Sequence, residues 1–129
     1  ELKWPNDILV KSKKLGGIIC QSQDGKTIMG LGININNKLS LDTSISLSEL
    51  GCNIDKLSFI DELTEKIKFN MSCDNAELIE KFMFYDCLVG KEVSWQGGKG
   101  CVEEISDDGR LIVKDNNKLV FLTDEVHLE

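Results

Sequence analysis

Apolar positions in the first third of the chain come in blocks, not at helical spacing. Ile8, Leu9 and Val10 form one block, and Leu15-Gly16-Gly17-Ile18-Ile19-Cys20 forms a second. Residues 27–35 are a third, an almost unbroken run of apolar residues and glycine. Asp24-Gly25 separates the last two, and an Asp-Gly pair between such runs predicts a hairpin. A run as apolar as the third predicts a strand covered on both faces. Asn36-Asn37 breaks it, and the polar, Ser-rich stretch that follows predicts a loop with a short helix over 46–50, ended by Gly51.

The period then changes. Ile60, Leu63, Ile67 and Met71 recur at three- and four-residue steps, the stripe of an amphipathic helix. A second helix follows, with Asp74 or Asn75 as its cap and Leu78, Ile79, Phe82 and Met83 facing inward. From Val89 onward, short strands over 91–95, 99–105, 110–114 and 118–122 alternate with Gly97-Gly98, Asp107-Asp108-Gly109 and Asn116-Asn117. Roughly 40 residues of this kind predict a small β-barrel that leans on the helices. The whole pattern gives an α+β class: a mixed, largely antiparallel sheet packed against helices near 57–71 and 75–87, then the barrel.

Charge narrows the partners. The net charge is −7, and Arg110 is the single arginine beside fourteen lysines. A phosphate-binding surface needs clustered Lys and Arg, so nucleic acid is not expected as the main partner. Lys11-Ser12-Lys13-Lys14 is the one local basic cluster. Apolar residues are 41% of the chain, enough for a core, yet no run reaches membrane-spanning length, and the opening Glu1-Leu2-Lys3 is not a signal peptide. Cys20, Cys52, Cys73, Cys87 and Cys101 are odd in number and widely spaced, and the lone His127 cannot complete a zinc site with them. They read as free thiols in a reducing cytoplasm, with no metal site.

Three segments carry candidate chemistry. In Lys3-Trp4-Pro5-Asn6-Asp7, Pro5 removes a backbone donor and forces a bend that Asn6 and Asp7 suit. Lys3 then stands at a strand end, placed to neutralise a carboxylate or phosphate, or simply solvated before an ordinary turn. In Gly30-Leu31-Gly32-Ile33-Asn34-Ile35-Asn36 the glycines alternate, but the third glycine and following helix of a dinucleotide fingerprint are absent. Alternate glycines in a strand clear one face for a ligand or for a packed neighbour, and Asn34 presents an amide beside it. In Lys13-Lys14-Leu15-Gly16-Gly17-Ile18 a basic turn runs straight into two glycines, which suits a close approach of backbone to ligand, a subunit contact or a plain hairpin tip.

In this order and spacing the three segments resemble the biotin–protein ligase family, whose pattern is K-W-P-N-D, a basic turn into a Gly-Gly or Ala-Gly strand, then G-x-G-I-N-x-N. The resemblance continues, more weakly, to the end of the chain. It implies the C-terminal part of the catalytic domain over 1–87 and an SH3-like barrel over 88–129. It implies a reaction in which biotin and ATP, with Mg²⁺, give biotinyl-5′-AMP, and the biotinyl group passes to a lysine of a biotin carboxyl carrier domain. Carried over by position, Lys3 contacts the biotin carboxylate and the adenylate phosphate, Gly30 and Gly32 make room for the ligand, Asn34 bonds the nucleotide side, and Ile8 and Gly17 are walls for the biotin rings. The family's arginine-rich G-R-G-R-x-x-R loop has no counterpart in a sequence with one arginine. The chain by itself is therefore expected to lack useful ligase activity, and homodimers through a sheet edge are expected from the family.

Two other readings are compatible with parts of the pattern. One is a non-catalytic SH3-like binding module, with Tyr85, Trp95 and Phe121 as an aromatic surface. The other is a lipoyl ligase-like relative. The pairing of K-W-P-N-D with G-x-G-I-N favours the biotin ligase over both.

Overall fold

The computed structural model describes residues 1–129. Its elements are β1 (Leu2–Lys3), β2 (Asp7–Val10), β3 (Lys13–Gln23), β4 (Lys26–Ile33), α1 (Lys56–Asn70), α2 (Asn75–Tyr85), β5 (Glu92–Trp95), β6 (Gly98–Ile105), β7 (Leu111–Asp115), β8 (Lys118–Leu122) and β9 (His127–Leu128). They form two compact units, Asn6–Met71 and Glu1–Pro5 with Ser72–Glu129. No helix is long and apolar enough to cross a membrane.

In the unit Asn6–Met71, β2, β3 and β4 pair antiparallel in sequence order. Both hairpin turns have left-handed central residues, Lys11 and Ser12 at φ 52° and 61° and Asp24 and Gly25 at 51° and 72°, as tight turns matched to strand twist require. β4 ends at Ile33, two residues short of the apolar run, because the carbonyls of Asn34 and Ile35 turn away to accept the amides of Leu47 and Ser48. The stretch expected as a short helix at 46–50 is instead a turn. Ser46 is fully buried there, and its amide and Oγ both donate to Glu49 Oε2 at 2.8 Å, which competes with helical bonding. Those bonds, the side-chain one first, hold the Glu49 carboxyl below its ordinary range.

The strands of this unit are less covered than their composition predicts. Ile19 and Ile28 are 73% and 65% exposed, whereas Leu15 is buried. Helix α1 starts at Asp55, whose carboxylate accepts from the Ser58 amide and hydroxyl, both at 2.9 Å. Its half-buried residues are Phe59, Leu63 and Ile67, while Ile60 and Met71 of the expected stripe are exposed. A strict four-residue step, not the mixed step, sets the sheltered face.

In the other unit, β5 to β9 form one antiparallel sheet of order β8-β7-β6-β5-β9. The expected barrel is thus an open five-stranded sheet. Closure would need β8 and β9 to pair, and β9 has only two residues. Val93, Val102, Leu111, Val113 and Val126 are its sealed core. Asp74 caps α2 by accepting the Ala76 amide at 2.8 Å, and Leu78, Ile79, Phe82 and Met83 are half-buried as their spacing predicts. After α2, Asp86 Oδ2 accepts the Leu88 and Val89 amides, both at 2.7 Å, and fixes the turn into the sheet. β1 joins this unit from the other end of the chain. Leu2 bridges Asp86 in parallel, and its carbonyl accepts the Cys87 amide at 2.9 Å.

Candidate functional site

The register of β3 and β4 decides what the glycines do. Gly17 lies opposite Gly32, and Ile19 opposite Gly30. Side chains of opposed residues share a face, and residues two apart share it as well. Gly17, Gly30 and Gly32 therefore clear one continuous face. A Cβ at Gly32 would meet nothing within 4 Å, and one at Gly30 would meet only the Ile19 carbonyl at 3.7 Å. Gly16 is a different case. Its Cβ would sit 2.5 Å from the Gly32 carbonyl oxygen, so glycine there serves strand packing and not a ligand.

A cavity of about 570 Å³ lies over this part of the sheet, and Gly17, Gly30, Gly32, Asn34 and Ser44 line it. Asn34 is set at its rim by several bonds. Its amide donates to the Leu15 carbonyl at 2.9 Å, its Nδ2 reaches the Lys14 carbonyl at 3.4 Å, and its Oδ1 accepts from Asn37 at 3.1 Å. Ile8 pairs with Gly16, which puts it on the opposite face of the sheet, and it is not among the cavity's lining residues.

Two lining residues escaped the sequence reading as site residues. Asp7 pairs with Gly17, and its Oδ1 lies 3.0 Å from where a Gly17 Cβ would stand. Lys14 Nζ is 2.6 Å from the same Asp7 oxygen. Asp7 had been legible only as a turn former and Lys14 only as one of a basic cluster. The signal available was their position, each within three residues of a glycine or proline that brings backbone close.

Lys3 belongs to the other unit. Its side chain is sheltered, 16% exposed, and its Nζ is 3.9 Å from Glu125 Oε1. The next residue anchors it. Trp4 is 5% exposed, its Nε1 donates to the Gly109 carbonyl at 2.9 Å, and the Trp4–Pro5 bond is cis. The Gly109 turn is itself braced, since Ser106 Oγ donates to Asp108, and Arg110 Nε donates to Asp108 Oδ1 at 3.1 Å. Arg110 also stacks 4.9 Å above the Phe121 ring. Of the aromatic residues considered for a binding surface, Phe121 and Tyr85 are exposed, but Trp95 is half-buried against Gly98.

No group of three or more His, Cys, Asp or Glu side chains converges on a point that could hold a metal ion. Cys87 is buried, and that burial pushes its thiol up, further from the thiolate a nucleophile needs.

Known proteins resemble this chain in sequence and in fold. The profile of the biotin/lipoate A/B protein ligase family matches residues 1–37, which hold all three glycine and lysine segments. A biotin–[acetyl-CoA-carboxylase] ligase of Mycobacterium tuberculosis is 27% identical over 98% of this chain and 53% of its own length. The bifunctional ligase/repressor BirA of Bacillus subtilis is 35% identical over 49% of this chain and 23% of its own. The chain thus spans about half the length of the mycobacterial relative. Among solved structures, the apo biotin protein ligase of Aquifex aeolicus superposes with a TM-score of 0.82 at 25% identity, over 99% of this chain and 64% of that one. The same enzyme with biotin and ATP shares the fold at a TM-score of 0.85 and 22% identity, over 99% of this chain and 62% of that one. In its lysine segment, its glycine-cleared face and its fold, this chain is similar to the biotin–protein ligases.

Proposed function

We propose that the protein carrying this chain attaches biotin to a lysine of a biotin carboxyl carrier domain, through biotinyl-5′-AMP made from biotin and ATP. The observation that carries the reading is the face cleared by Gly17, Gly30 and Gly32 under a cavity of about 570 Å³, a volume suited to a small ligand lying flat on backbone. The chemistry requires a carboxylate to approach an anionic α-phosphate, so fixed positive charge must offset their repulsion. Lys3 is the residue for that task, because it is sheltered and tied to the neighbouring buried Trp4. Asn34 would bond the nucleotide side. Gly17, Gly30 and Gly32 admit the biotin rings, and Ile8 supports them from beneath the sheet and not as a wall.

Mg²⁺ would enter with ATP, held mainly by its phosphates, since the chain offers no converging acidic cage. In this reading 1–87 is the catalytic portion and 88–129 an SH3-like module, and the protein works in the cytoplasm. The exposed β4 edge with Ile28 beside it is where a homodimer would form.

The test is calorimetric titration of biotin, biotinyl-5′-AMP, lipoate and lipoyl-5′-AMP. It is run on this chain and on a chimaera that joins it to the remaining portion of the Aquifex aeolicus ligase. Binding of the biotin ligands by the chimaera, lost in Lys3→Ala, supports the reading. Preference for the lipoyl ligands moves the substrate to lipoate. Binding of none of them overturns it.

A further inference from the structure

Ser46 is the one hydrophilic residue of the chain that is fully buried, and it stands at the head of a turn. Its amide and hydroxyl both need acceptors there, and a single atom supplies them: Glu49 Oε2, 2.8 Å from each. Ser46 Oγ in return accepts the Glu49 amide at 3.4 Å, so the two residues close a reciprocal set of bonds. The neighbouring residues tie this turn to the strands under the cavity. Leu47 and Ser48 donate to the carbonyls of Asn34 and Ile35, both at 2.9 Å, and Ile45 donates to the Lys14 carbonyl at 3.0 Å. That same Lys14 carbonyl accepts Asn34 Nδ2 at 3.4 Å. The backbone and the side chain of Asn34 are thus both held by groups bonded to the segment around Ser46. Glu49 itself is exposed and is not among the cavity's lining residues.

We propose that Glu49 is a positioning residue for Asn34: by satisfying the buried Ser46 it fixes the turn that holds Asn34 at the cavity rim, a role that rests on the ligase reading given above. Asn34 follows directly on the last residue of β4, Ile33, so its carbonyl depends on Leu47 for a donor. Without the Glu49 carboxylate, Ser46 is left with two buried donors unmatched, and leaving such groups unpaired is costly. The turn then opens to hydrate them, and the bonds from Leu47 and Ser48 to Asn34 and Ile35 are released with it. Glu49 acts on the ligand only through Asn34, and so only on the part of the ligand that Asn34 bonds, the nucleotide side.

A comparison of two ligands tests it. Affinities for biotin and for biotinyl-5′-AMP are measured by calorimetry in the chimaera described above, each variant's fold being checked by circular dichroism. The variants are Glu49→Ala, Glu49→Gln, Asn34→Ala and the double variant Glu49→Ala with Asn34→Ala. Glu49→Ala is expected to weaken biotinyl-5′-AMP by about tenfold, the worth of one well-placed hydrogen bond, and to leave biotin within about twofold of wild type. Glu49→Gln keeps an oxygen that can accept both Ser46 donors, so it should bring biotinyl-5′-AMP back to within about threefold of wild type. The double variant should be no weaker than Asn34→Ala alone. A merely structural role would lower both ligands together, and that outcome refutes the proposal. So does a Glu49→Gln variant as weak as Glu49→Ala, or an additive loss in the double variant. If the wild type binds biotinyl-5′-AMP and Glu49→Ala binds it as tightly, the role of Glu49 alone is refuted. If the wild type binds neither ligand, the ligase reading fails and the role of Glu49 falls with it.

Discussion

The indole of Trp4 offers the sharpest test of how the lysine segment is held. It is 95% buried by its 5% exposure, and its one polar atom donates to the Gly109 carbonyl at 2.9 Å. Trp4→Phe keeps most of the ring but leaves that carbonyl without its donor in a part-buried place, a loss of about 1–2 kcal/mol. Trp4→Ala removes the packing as well and should cost ~3–5 kcal/mol. Urea unfolding followed by far-ultraviolet circular dichroism gives both values. Hydrogen exchange of the peptide spanning 106–111 should show faster opening in Trp4→Phe. If Trp4→Phe stays within about 0.3 kcal/mol of wild type, the bond is replaceable by water. If Trp4→Ala costs no more than Trp4→Phe, the ring's burial is not what anchors it, and either result refutes the account of Lys3 positioning.

Four further outcomes follow from the same geometry. Gly32→Val should abolish biotin binding in titration while changing the melting temperature little, because its side chain enters open space; Gly16→Ala should destabilise by ~2 kcal/mol or more, because its Cβ meets backbone at 2.5 Å. Ser12→Gly should stabilise by about 0.5–1 kcal/mol in thermal unfolding, since Ser12 sits at φ 61° where glycine has no steric cost. Asp108 is held at about 2, below the ordinary 3.8, chiefly by the Arg110 side-chain bond and then by Ser106. Its folded value is the lower one, so its contribution is present above about pH 4 and fades as pH falls toward 2. Carboxyl-carbon NMR should show that titration moving up toward 3.8 in Arg110→Ala.

Turns and caps were the most legible part of the sequence. Asp24-Gly25, Gly109 and Asn116-Asn117 all adopt the left-handed backbone that their residue types permit, and Asp74 caps its helix. These features depend on a few adjacent residues, so a local pattern suffices. The face of α1 was misjudged because mixed three- and four-residue steps fit two stripes, and only packing selects Phe59, Leu63 and Ile67. The barrel became an open sheet because closure depends on distant strands meeting, which turn residues do not encode. The glycine face was legible at Gly17, Gly30 and Gly32, since alternation in a strand fixes which residues share a side. Asp7 and Ile8 were not: their faces follow from the pairing of β2 with β3, and a one-residue difference in register reverses them.

The unit that holds Lys3 is assembled from both ends of the sequence, Glu1–Pro5 and Ser72–Glu129. The Trp4 bond to Gly109 spans 105 positions. In kinetic terms such a contact is slow to form, because the entropy of closing the long intervening chain is lost before the contact contributes anything. During synthesis Asn6–Met71 leaves the ribosome as one continuous stretch and can collapse early. The Trp4 bond cannot form until the turn at Gly109 has been made. Residues made earlier within this stretch therefore reach their place only after residues made much later.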